Sequence, residues 1–169
     1  MSGLLVALWV AVAPPAQVPD SAKPARVERV IDAASDSIGR LRSAAYGFSL
    51  DLQAASPALV LARARRVRDG CAGAAAELES LQRVLSVATL TPRAGAEQAR
   101  LRTAAANLLR ALTLCRQEWE PSPPSVTLAD SLRAWGPYRV QQLTLALRRY
   151  EEALRVFQVR AGLKKPAAG

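Results

Sequence analysis

Four runs of apolar residues, each stepping alternately by three and four, constrain this chain more than any other feature. The first is Val27, Ile31, Ala34, Ile38, Leu41, Ala45, Phe48 and Leu52. The second is Val60, Ala64, Val67, Cys71, Ala74, Leu78, Leu81, Leu85 and Ala88. The third is Leu101, Ala105, Leu108, Leu112, Cys115 and Trp119. The fourth is Val140, Leu143, Leu147, Tyr150, Leu154, Phe157 and Ala161. A sustained repeat of about 3.5 residues sets one face of each helix against a neighbour in near-parallel, left-handed packing. Composition agrees. Alanine is about a fifth of the 169 residues. With leucine, arginine and glutamate it favours helix, and no β-branched run alternates with strand period.

Proline divides the runs into segments of about residues 21–54, 57–89, 92–119 and 127–161. Ser56-Pro57 and Thr91-Pro92 read as an N-cap followed by proline in the first helical turn. A helix start is expected at Asp20 or Ser21. Glu120–Ser125 (EPSPPS) reads as a linker. Thr127 with Asp130 resembles a capping box, and Gly136-Pro137 is expected to break or kink the fourth segment. Short connections make neighbouring helices antiparallel. The expected fold is all-α: an up-down-up-down antiparallel four-helix bundle with heptad, coiled-coil-like packing over residues 20–161. A signal-peptide-like apolar segment precedes it (residues 1–19), and a basic, disordered tail follows (residues 162–169). The same stripes also fit a long two-helix coiled coil that dimerises, so the pattern leaves the oligomeric state open.

Leu4 to Ala13 is an apolar run of about ten residues, half of the roughly twenty that span a bilayer. It suits the apolar region of an export signal, with small residues at Ala11 and Ala13, although no Lys or Arg precedes it. The chain is therefore expected to be exported, to the periplasm or beyond the cell.

The two cysteines, Cys71 and Cys115, both fall on apolar stripes. The turn between the second and third segments centres on Arg93, 22 residues from either cysteine. In an antiparallel hairpin, residues equidistant from the turn share a level, so the thiols meet. A disulfide needs Cα atoms about 4.4–6.8 Å apart, closer than ordinary helix axes at about 8–10 Å. Gly70, Ala72, Gly73, Ala74 and Ala75 leave little bulk to hold the helices apart. A Cys71–Cys115 disulfide is expected, in keeping with export.

The chain has no histidine, which removes the commonest general base and the imidazole metal ligand. No nucleotide-binding loop, nucleophile elbow or haem-attachment motif occurs. No catalytic residue, metal ligand or cofactor is therefore expected. Glu28, Asp32 and Asp36 line one outward face, where Arg29 and Arg40 are expected to neutralise the aspartates. Glu151 with Arg155, and Glu152 with Arg148, have the spacing of surface ion pairs.

The net charge is +9, supplied almost wholly by arginine. Residues 121–169 carry eight basic and three acidic groups, whereas residues 1–54 balance. Two clusters stand out: Arg63, Arg65, Arg66 and Arg68, and Arg148, Arg149 and Arg155 with Lys164 and Lys165. Arginine stems beside a seam commonly cover apolar surface; the functional reading is a polyanion contact. The expected function is a non-enzymatic structural or protein-binding module of the cell envelope. Its partner would be another envelope protein, meeting a helix groove or the Trp135–Tyr138 region as an aromatic anchor. One alternative is a binder of anionic lipid, lipopolysaccharide or nucleic acid through Arg63, Arg65, Arg66 and the C-terminal cluster, with an anionic membrane surface among the partners it would meet. Nucleic acid lacks a recognised module or stacking aromatics. Another alternative is a sensor of a small apolar ligand in the bundle core.

Overall fold

The computed structural model describes residues 24–88, 94–119 and 126–163. Four helices follow in chain order: α1 Pro24–Ser49, α2 Pro57–Val87, α3 Gly95–Glu118 and α4 Val126–Ala161. No strand occurs among the described residues. The apolar segment 1–19, the expected start at Asp20 or Ser21, the Thr91-Pro92 cap, the Glu120–Ser125 linker and the tail from Lys164 on, with Lys165, lie outside the described residues. Leu163, expected in the disordered tail, is instead buried, its N–H donating to the Gln158 carbonyl at 3.0 Å.

The apolar stripes form the core. All six stripe residues of the third run, Leu101 to Trp119, are buried. In α2 the buried line runs unbroken from Val60 to Leu85, and only Ala88, past the helix end, is half-buried. Burying a Leu, Ile or Phe side chain stabilises by about 1.5–3 kcal/mol, so these lines hold the helices together. The first run outlasts its helix: α1 ends at Ser49, yet Leu52 in the following turn remains buried. Tyr150 is also buried, and its hydroxyl has no hydrogen-bond partner among the described residues. Burial without a partner pushes the phenol well above its ordinary pKa.

Consecutive helices make the main contacts, and α2 packs on α4 more than α1 does. Between α2 and α3, Gln98 Nε2 donates to the Leu85 carbonyl at 2.5 Å and Gln82 Nε2 to the Arg102 carbonyl at 3.5 Å. Residue number rises on one helix as it falls on the other. Gly70 explains the approach of α1 to α2. A Cβ there would lie 3.1 Å from Leu41 Cδ1 and 3.2 Å from Leu41 Cα. This corrects the expectation that the glycines of α2 make room for α3: Gly70 faces α1, and Gly73 faces open space.

The turn between α1 and α2 is tied down by side chains. Asp51 sits at φ 47°, a conformation aspartate tolerates, and its carbonyl accepts from Ala54 and Ala55 N–H at 3.1 and 3.0 Å. Ser56 caps α2 as expected, its Oγ accepting from the Leu59 N–H at 3.3 Å with Pro57 opening the helix. The Arg63 guanidinium donates to the Leu50 carbonyl. Arg133 reaches across from α4, donating through Nε to the Leu52 carbonyl at 3.3 Å and through Nη2 to that of Ala55.

Gly136-Pro137 does not break the fourth segment: α4 runs through Pro137 to Ala161. The buried line on α4 also starts earlier than expected, at Ala129 and Leu132. Gly136 continues it as a hole rather than a knob. A Cβ at Gly136 would lie 2.6 Å from Phe48 Cε1 and 2.7 Å from Cζ, so the ring occupies the space a side chain would need. Phe48 meets Trp119 edge-on at 4.6 Å between centroids, and Trp119 meets Trp135 edge-on at 5.4 Å. Thr127 is likewise inside α4 rather than at its cap, because the helix begins at Val126. Asp130 pairs instead with Arg133 at 2.6 Å.

These two glycine environments predict opposite effects of alanine. Gly136→Ala must displace a packed ring and should destabilise by about 1–3 kcal/mol. Gly73→Ala meets nothing and should stabilise by about 0.5–1 kcal/mol through helix propensity. Urea unfolding of the two variants should show midpoints displaced in opposite directions.

Candidate functional site

Cys71 lies midway along α2 and Cys115 in the last turn of α3. Their sulfurs are 2.05 Å apart and their Cα atoms 6.3 Å apart, across a sequence separation of 44. The register counted from the turn therefore holds, and the two thiols share one level of the α2–α3 pair. Cys71 is fully buried and Cys115 is 5% exposed. Cys115 borders a shallow cleft between α3 and α4, beside Leu114, Trp119, Arg139 and Leu143. A second cleft between α1 and α4 is lined by Arg42, Tyr46, Thr144, Arg148 and Glu151. Both clefts open to solvent between helices rather than into the middle of the core.

The carboxylates do not pair as the spacing suggests. Glu151 bonds Arg42 of α1, not Arg155; a partner on another helix stands closer than one on its own. Arg148 and Glu152 form no ion pair among the described residues. On α1, Arg40 donates to the Ser37 hydroxyl at 2.8 Å, and Arg29 Nε donates to the Ala25 carbonyl at 3.4 Å. Neither arginine meets Asp32 or Asp36, which stay exposed, while Glu28 is half-buried. Among the described residues no group of three His, Cys, Asp or Glu is placed to hold a metal ion.

The basic clusters divide by role. Arg63 is committed to the Leu50 carbonyl and Arg68 to Asp69 at 3.0 Å. Arg65 and Arg66 of α2, and Arg148, Arg149 and Arg155 of α4, are exposed. None of these five forms an ion pair among the described residues. Trp135 and Tyr138 separate: Trp135 is half-buried against Trp119, whereas Tyr138 is 59% exposed. The sequence reading did not single out Leu145, Val156 and Val159, which are exposed on α4. They share the helical spacing of Tyr138 but lie off the core stripe. No described helix is long and apolar enough to cross a membrane.

Burial of both sulfurs predicts that glutathione leaves the native protein unreduced. Alkylation followed by mass measurement should show neither cysteine labelled in buffer and both labelled when glutathione acts in denaturant. No protein-family profile, curated protein or solved structure matches the chain.

Proposed function

We propose that the chain is an exported, non-enzymatic scaffold of the cell envelope, an up-down-up-down bundle with heptad packing that presents its outer helix faces to a protein partner. The observation that carries this reading is the Cys71–Cys115 pair at bonding distance in a buried helix seam. Such bonds persist in oxidising compartments and not in a reducing cytosol. The apolar run Leu4–Ala13, with the length of a signal-peptide core, points the same way. Partners on consecutive helices run in opposite senses. Leu41 meets Gly70 and Leu50 meets Arg63; Glu118 meets Arg139 and Trp119 meets Trp135. That order supports the antiparallel topology. A chain without histidine, whose described carboxylates are all exposed or half-buried, offers little for acid–base catalysis.

Intact mass of the protein from its native host, alkylated with and without prior reduction, tests the proposal. The expected result is a chain shortened at its N-terminus, alkylated at both cysteines only after reduction. A full-length chain with two free thiols would overturn it.

A further inference from the structure

The outer face of α4 carries a second pattern, separate from its core stripe. Tyr138 is 59% exposed, Leu145 43%, Val156 41% and Val159 64%. At roughly 100° per residue these four fall within about 60° of one another, in a line about 30 Å long. Arg149 and Arg160 border the line on one side, and Arg148 and Arg155 on the other. All four arginines are exposed, and none forms an ion pair among the described residues. Among the described residues of α4, the one carboxylate within this face is the exposed Glu152.

We propose that this face of α4 is a docking surface for an anionic lipid bilayer, with the four arginines on lipid phosphates and Tyr138, Leu145, Val156 and Val159 entering the headgroup region. Charge selects the partner. A second copy would set like charges against each other, whereas an anionic surface complements all four arginines at once. Sparse apolar side chains along one helix face need no matching register from a membrane, as they would from a partner helix with its own knobs and holes. The arrangement has the chemistry of interfacial helices, arginine beside apolar groups at headgroup depth. The bundle holds the helix in place, so no folding cost accompanies binding. This surface does not rest on the scaffold reading, and vesicles test it without reference to export.

Each arginine close to an anionic surface contributes about a five-fold factor to partitioning. Sedimentation with phosphatidylcholine vesicles, with and without phosphatidylglycerol, gives the readout, and heparin serves as a soluble polyanion for comparison. Binding is expected only with phosphatidylglycerol, and it should weaken with salt. Replacing Arg148, Arg149, Arg155 and Arg160 together by Gln should lower it about a hundred-fold or more. Glu152→Gln should strengthen it roughly two- to five-fold. Combining Tyr138→Ser, Val156→Ser and Val159→Ser should weaken vesicle binding about ten-fold and leave heparin binding unchanged. All these side chains are exposed, and circular dichroism and a thermal melt verify that each variant is folded. Absence of binding to anionic vesicles would overturn the proposal. So would vesicle binding that ignores the serine substitutions, which would mark a general polyanion surface.

Discussion

The covalent contact between Cys71 and Cys115 demands a close approach of two backbones, and much of the bundle is arranged around it. Their Cα atoms are 6.3 Å apart, within the range of about 4.4–6.8 Å that a disulfide spans. Ala74 lies on the buried side of α2 next to Cys71, and Ala111 is half-buried one turn before Cys115. Small side chains at both positions let the seam narrow there. Further along, Gln98 takes the carbonyls of Leu85 and Ala88 at the end of α2, so that end of the pair is held by hydrogen bonds instead of by sulfur.

The opposite end of the molecule is held by a different device. The end of α1, the start of α2, the end of α3 and the first half of α4 meet around Phe48, Trp119 and Trp135. Gly136 is the socket that lets the ring of Phe48 seat against α4. Arg133, one turn earlier, donates to two carbonyls of the α1–α2 turn. A hydrogen bond from a charged donor contributes about 1.5–3 kcal/mol, so this one side chain couples α4 to the turn. Of the helix pairs in contact, α1 and α4 touch least. Their remaining bond of note is the Arg42–Glu151 pair on the cleft between them.

Much of the core was legible because burial on a helix is periodic. Every stripe residue from Leu101 to Trp119 is buried, as are those from Val60 to Leu85. The cysteine pairing was legible for the same reason, since counting from a turn locates a level. What escaped has no period. Gly136 holds a stripe position between Leu132 and Val140, but a glycine beside a proline reads as a break unless the ring that fills its place is known. Arg42, Arg133 and Arg63 have long flexible side chains whose partners lie 109, 81 and 13 residues away, and local spacing does not reveal them. The α4 surface pattern escaped because its exposed apolar residues are spaced like a core and only the packing shows which line faces inward.

The central physical claim is that tying the middle of α2 to the end of α3 is a major source of the bundle's stability. A cross-link closing a loop of this length restricts the unfolded chain by about 4 kcal/mol. Urea unfolding of the oxidised protein beside the Cys71→Ala/Cys115→Ala double variant tests it most directly. The account predicts a loss of about 2–4 kcal/mol, strain and lost packing included, with helix content retained before the transition. Equal stability of the two proteins would contradict it.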